Sequence, residues 1–310
     1  MNLLKRRFPC LAVAVITLIT LAACAPAQNR QSGRLNVTVT TTMLLDLTQQ
    51  IGGDCVNVQG LMGSGVDPHQ YRASAGDVIK MQQADVVIYS GLHLEGKMGD
   101  VLSSLESYGK TVICAADGID RELLIQNDGV YDPHIWFDVS LWQLAANEVA
   151  RGLSAADPPN AEKYEKNLAA YSKQLDGLEQ YIRARTDELN ENQRVLITAH
   201  DAFGYFGRAY GFTVMGLQGV STAAEAGTSD VSRLAAFIAE NRVHSVFVET
   251  SLPVKSIEAL QEAVRAKGFE TTLGGTLYSD SLGDAANNED TYINAFKHNI
   301  DVIVDGLKGD

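Results

Sequence analysis

The sequence predicts an α/β fold of two doubly wound lobes, each built from (βα) repeats, with a long helix between them. Three observations point that way. Short apolar runs alternate with segments of helical period along most of the chain, the pattern of a layered α/β domain. One run, Ala84-Asp85-Val86-Val87-Ile88-Tyr89, is almost continuously apolar, as a parallel strand covered on both faces must be. Pro158-Pro159-Asn160 then breaks the alternation at mid-chain, a single helical stripe follows, and the alternation resumes. A length of 310 residues accommodates two such domains.

The elements follow in order. Residues 35–40 alternate with β-branched side chains and read as the first strand, and a helix over 43–51 is closed by Gly52-Gly53. A strand over 55–62 runs into Gly63-Ser64-Gly65-Val66-Asp67-Pro68-His69, a glycine-rich loop. A helix over 75–83, the strand over 84–89, a helix over 96–108 and a strand over 111–114 complete a first lobe of residues 34–157. The linking segment, 158–191, carries Tyr164, Leu168, Tyr171, Leu175, Leu178, Ile182 and Leu189 on one face of a helix over 161–190. Roughly thirty helical residues span about 45 Å, enough to run along both lobes. One apolar stripe between two α/β patterns marks a packed spine rather than a free coiled-coil arm. The second lobe, 192–310, repeats the architecture with strands over 194–198, 212–217, 245–249 and 269–277. Its helices cover 229–241, 254–267 and 292–307.

The N-terminus is set apart from the fold. Lys5-Arg6-Arg7 followed by the apolar run 8–21 reads as a signal peptide of residues 1–23, too short for a comfortable membrane span. Leu21-Ala22-Ala23-Cys24 resembles a bacterial lipobox, which implies cleavage before Cys24 and a lipid on its thiol. The protein is then exported and anchored at the outer face of the cell membrane or in the periplasm. Residues 24–33 are polar and unpatterned, a tether. Losing residues 1–23 removes three cations and no acid, taking the net charge from −13 to −16. Such a balance excludes nucleic acid as a partner and suits the gathering of cations. Of the four cysteines, Cys10 leaves with the signal and Cys24 is lipidated. Cys55 and Cys114 remain on expected strands with no CxxC spacing, so they read as core residues, paired or not.

The chemistry gathers at four positions. Asp-Pro-His occurs twice, at Asp67-Pro68-His69 and Asp132-Pro133-His134, and in each copy the proline holds the backbone of a tight turn. His200 ends a strand, and Asp280 lies just past one. Ligands of doubly wound sheets lie beyond the carboxyl ends of the strands. If the lobes face each other, His69 and His134 from one side meet His200 and Asp280 from the other in an interdomain cleft. Three imidazoles and a carboxylate suit Zn²⁺, Mn²⁺ and Fe²⁺ rather than Ca²⁺ or Mg²⁺. Asp67, Asp132, Asp138, Asp201 and Glu249 are near enough in sequence to orient the rings, without an assignment among them. His93 follows a strand and could line the same cleft, whereas His244 and His298 point to no site. A secreted zinc hydrolase would use three histidines too, but no HExxH motif appears and Asp280 would fill the position water needs. The chain is therefore not read as an enzyme. A third reading, an adhesin whose metal site is structural, requires an exposed apolar patch away from the cleft.

The chain resembles the metal-binding lipoproteins of bacterial ABC importers, in the cluster serving manganese and zinc. The resemblance covers essentially the whole mature chain. It rests on the loop 63–69, on Ser90-Gly91-Leu92-His93-Leu94-Glu95-Gly96-Lys97-Met98, and on Asp132-Pro133-His134-Ile135-Trp136-Phe137. It continues through Thr198-Ala199-His200-Asp201-Ala202-Phe203 and Gly274-Gly275-Thr276-Leu277-Tyr278-Ser279-Asp280. It implies His69, His134, His200 and Asp280 as metal ligands and a rigid linking helix permitting only a small closure. It also implies a monomer that delivers its ion to a membrane permease driven by a cytoplasmic ATPase. The zinc-dedicated branch carries a long His-rich loop before the second ligand, and residues 117–131 are short and lack histidine. Manganese is therefore expected first and zinc second, with Fe²⁺ accommodated, although raw affinity at such a site favours zinc over manganese.

Overall fold

In the computed structural model, residues 33–127 and 129–308 are described. The expected signal peptide, the lipid-bearing Cys24 and tether residues 24–32 lie outside them. Among the described residues no helix is long and apolar enough to cross a membrane.

The first lobe is a four-stranded parallel sheet of β1 (Leu35–Val39), β2 (Val56–Gly60), β3 (Val86–Tyr89) and β4 (Thr111–Cys114). Its order is β2-β1-β3-β4, so the direction of winding reverses between β1 and β3. Val37, Val39, Val86, Val87 and Ile88 are fully buried, as expected for strands covered on both faces. The covering helices are α1 (Thr42–Gly52), α2 (Ala75–Gln83), α3 (Gly99–Ser107) and α4 (Val139–Ala156). A small antiparallel pair, β5 (Gln126–Asn127) and β6 (Val130–Tyr131), precedes α4.

Helix α4 is absent from the expectations above, yet it is central to the first lobe. Asp138 caps it by accepting from Ser140 N–H, and Leu141, Trp142, Ala145, Ala146, Val149, Ala150 and Leu153 are all buried. Small residues let it settle closely on β4: a Cβ at Gly152 would lie 2.3 Å from Ile113 Cδ1. Its apolar residues recur at helical spacing, so the signal was present in the sequence.

The spine is α5 (Ala161–Thr186), four residues shorter at its end than the stripe predicted. Leu189 is still buried, but in a turn closed by its N–H on Thr186 O rather than in the helix. On one side α5 packs against α1 and α4, on the other against α9 (Tyr292–Lys308) of the second lobe. Tyr164, Tyr171, Leu175, Leu178 and Ile182 are buried along it. Its last turn is tied to α9 through Arg185 Nε on Asp301 (2.8 Å) and Tyr181 Oη on the same carboxylate (2.7 Å). The spine therefore belongs to both lobes, and residues from Leu35 onward form one compact unit.

The second lobe contains β7 (Val195–His200), α6 (Gly204–Tyr210), β8 (Thr213–Gln218) and α7 (Thr228–Asn241). It continues through β9 (Ser245–Glu249), α8 (Lys255–Arg265), β10 (Thr272–Leu277) and α9. Parallel pairs β7–β8 and β9–β10 form, with β7 running beside β9, so the layer is divided where a continuous sheet was expected. A bulge at Gly274 shifts the register of β10 against β9. Only glycine fits there: a Cβ would come within 2.5 Å of the Phe247 ring. The short helix α6 was not anticipated. Cys55 and Cys114 are unpaired, with Cys55 in a tight turn before β2 rather than on a strand.

Candidate metal centre

His69, His134, His200 and Asp280, spread over most of the chain, meet in one cluster. Each places a ligating atom within 4.8 Å of those of the other three. His134 and His200 are fully buried, Asp280 is 1% exposed and His69 4% exposed.

Two of the imidazoles are delivered by the repeated tripeptide. In each copy the aspartate carboxylate folds back to accept the histidine N–H, Asp67 to His69 at 2.8 Å and Asp132 to His134 at 2.9 Å. The copies then diverge. Asp132 Oδ1 also binds His134 Nδ1 at 2.7 Å, fixing the ring so that Nε2 faces the cluster. Asp67 leaves the His69 ring alone and uses its other oxygen to accept the hydroxyl of Thr222, from the second lobe, at 2.6 Å.

The other two members of the cluster come from strand ends. His200 is the last residue of β7, and Glu249, the last of β9, accepts its N–H at 2.9 Å. The second Glu249 oxygen stands 2.6 Å from His200 Nδ1 as an ion-pair contact, off the line of a straight hydrogen bond. Asp280 follows β10 in a loop stitched to the first lobe on both sides. Trp136 Nε1 donates to Ser279 O (3.0 Å), Gly65 N to Ser281 Oγ (2.8 Å) and Ser64 Oγ to Leu282 O (2.9 Å).

Around the centre, His69 and His134 Nε2 atoms are 3.3 Å apart. Asp280 Oδ1 is 3.4 Å from His134 Nε2, and its Oδ2 is 3.3 Å from His200 Nε2. Both carboxylate oxygens and His200 Nε2 are buried without a well-formed hydrogen bond, so they are directed at a common point rather than at one another.

The electrostatics ask for positive charge. Burial drives the His69 imidazole down to about 3, helped by the two neighbouring histidines. Burial opposes charge on His134 as well, but the Asp132 and Asp280 carboxylates outweigh it and raise the ring to about 9. His200 is also raised, because Glu249 and Asp280 overcome its burial. Asp280 is held well below the usual carboxylate range: burial works against its charge, and His200 and His134 overcome that. Protons on two imidazoles thus supply the charge that three buried carboxylates require, and a divalent cation would supply the same charge from one point. Asp67 and Asp201 are raised by burial.

The remaining candidates fall elsewhere. Asp138 is spent on capping α4. His93 is exposed in a left-handed turn (φ 66°) and lines a separate cavity of about 640 Å³ with Tyr89, Cys114 and Tyr131 rather than the cleft. Half-buried Cys114 packs against the edge of the core and also lines that cavity. His298 pairs with Glu289 at 2.8 Å, and His244 is exposed. The Trp136 ring, within the motif that begins with the second Asp-Pro-His, lies 5.2 Å from that of His134, and Thr222 is a part of the centre that no motif marked.

A two-lobed α/β protein with a buried cluster of three histidines and an aspartate between its lobes is a narrow class. The chain belongs to the family described as zinc-uptake complex component A, periplasmic (ZnuA), which matches residues 37–306. It is 45% identical over 276 residues to the zinc-binding protein TroA of Treponema pallidum, covering 89% of each chain. It is 42% identical over 301 residues to the manganese-binding lipoprotein MntA of Bacillus subtilis, covering 96% of this chain and 98% of the relative. The solved structure of the periplasmic zinc-binding protein TroA superposes with a TM-score of 0.87 over 89% of this chain and 99% of that one.

Proposed function

We propose that this protein is the extracytoplasmic metal-binding component of an ABC importer. In this reading His69, His134, His200 and Asp280 hold one divalent transition-metal ion as cargo for a membrane permease and its ATPase. The observation that carries it is the convergence of four buried side chains, among which Asp280 and His200 turn ligand atoms without a hydrogen-bond partner toward the cluster. Their spacing supports it. A tetrahedral ion with metal–nitrogen distances of about 2.0–2.1 Å separates its ligand atoms by roughly 3.3–3.4 Å. The contacts above are 3.3, 3.3 and 3.4 Å. The second oxygen of Asp280 offers a fifth contact, which suits ions of higher coordination number such as Mn²⁺.

We place the lobes at residues 34–157 and 192–310, the linking segment at 158–191, and a lipid anchor at Cys24. The protein acts as a monomer and catalyses no reaction, because Asp280 occupies the position a metal-bound water would need. Manganese is the favoured cargo. Zinc is the alternative, supported by the zinc-binding relative at 45% identity and by the order of intrinsic affinities.

A competition titration of chelator-stripped protein with Mn²⁺ and Zn²⁺ tests this. One equivalent of ion, with a rise in melting temperature that His134→Ala abolishes, is the expected result. At a thousandfold excess over Kd the stabilisation is about 4 kcal/mol. Absence of stoichiometric binding by both ions would sink the proposal.

A further inference from the structure

The ligands are not equally sealed. His134 and His200 have no exposed surface and Asp280 has 1%, whereas His69 keeps 4%, so His69 is the member of the cluster nearest solvent. The segment 219–227, which follows β8, crosses to that side. Ser221, Ala223, Ala224 and Glu225 in it are exposed, but Thr222 is only 7% exposed and faces inward. Its hydroxyl donates to Asp67 Oδ2 at 2.6 Å, and its carbonyl accepts from Gln70 Nε2 at 2.8 Å. Asp67 and Gln70 bracket Pro68-His69. A loop of the second lobe therefore grips both ends of the turn that carries a first-lobe ligand.

We propose that Thr222 is a positioning residue that latches segment 219–227 over His69, through Asp67 and Gln70, and so sets how fast a bound ion leaves. The inference rests on the metal-binding reading above. Both bonds cross between the lobes, so they exist only while the lobes are together. When the lobes part, water takes over the hydrogen bonds of Asp67 and Gln70. Losing the Thr222 hydroxyl thus destabilises the closed, loaded form and leaves the open form untouched. A hydrogen bond to a charged group accounts for about tenfold or more in such a balance.

The test is stopped-flow capture of Zn²⁺ by a chelator from wild-type protein, Thr222→Val and Thr222→Ser. The valine keeps the shape of threonine without its hydroxyl. It is expected to speed dissociation about tenfold while the association rate stays within about twofold, and serine should restore the wild-type rate. An unchanged dissociation rate in Thr222→Val would overturn the latch, and so would equal changes in both rates, the mark of a merely structural residue. If the wild-type protein takes up no stoichiometric ion, the metal-binding reading falls and the latch falls with it. That outcome is visible before any variant is compared.

Discussion

Asp67-Pro68-His69 and Asp132-Pro133-His134 are the same tripeptide folded into the same turn, yet they hold their histidines differently. Asp132 closes on the His134 backbone and ring, both residues being buried, while its backbone carbonyl accepts from Tyr205 Oη of the second lobe. Asp67 closes on the His69 backbone alone and reaches across to Thr222 of the second lobe. One imidazole is therefore fixed by its own lobe. The other is positioned by the meeting of two lobes. A motif specifies a turn, while the environment of its second carboxylate oxygen decides what the turn does. A carrier needs both kinds of ligand: one that waits in place and one that can be released.

The largest test of this contrast removes each ring. His134→Ala should weaken metal binding by about a hundredfold or more, since four ligands share a binding free energy on the order of 10–16 kcal/mol. It should also destabilise the stripped protein by about 1–3 kcal/mol, because it leaves Asp132 buried without its partner. His69→Ala should cost similar affinity but leave the melting temperature of the stripped protein nearly unchanged. Equal destabilisation by both variants would erase the distinction. Next in size is Asp132→Asn, expected to lose about ten- to a hundredfold in affinity through a misoriented ring. Asp67→Asn should lose less than about tenfold, mainly in the dissociation rate, and isothermal titration beside chelator capture separates the two.

The smallest effect concerns protons. His134, raised to about 9, and His200, also raised well above its ordinary 6.5, carry protons near neutrality when no ion is bound. A metal takes only neutral imidazole, so uptake must expel on the order of two protons, and affinity must climb as pH rises toward 9. The fold itself responds with the opposite sign. A ring whose folded pKa is raised stabilises the stripped protein fully below about pH 6.5, and that contribution is lost as pH passes about 9. Calorimetric titration in two buffers of different ionisation enthalpy measures the proton count, and no release at pH 7 would contradict these assignments.

Much of this cluster was legible in the sequence because its four side chains sit where local rules are strong. Two lie in proline-fixed turns and two at the carboxyl ends of apolar strands, positions that do not depend on distant packing. The residues that orient them were less legible. Glu249 was visible as the end of a strand, but that it holds His200 depends on β7 and β9 lying side by side. Thr222 lies in an unpatterned loop, and its role exists only once two lobes come together. Helix α4 shows a different failure: its alanine-rich face carries a helical period, but it starts directly after the Asp-Pro-His turn, whose loop signals are the stronger. The end of α5 was overrun because Leu189 keeps the spacing of the stripe while standing in a turn. The register shift of β10 against β9 depends on a bulge at Gly274 whose effect no period reveals.

The most direct test of the central claim, that these four side chains meet on one ion, is anomalous diffraction from crystals of the zinc-loaded and manganese-loaded protein. A single peak bounded by His69 Nε2, His134 Nε2, His200 Nε2 and the Asp280 carboxylate is the predicted result. An ion bound elsewhere, or one held by fewer than three of these imidazoles, would contradict it.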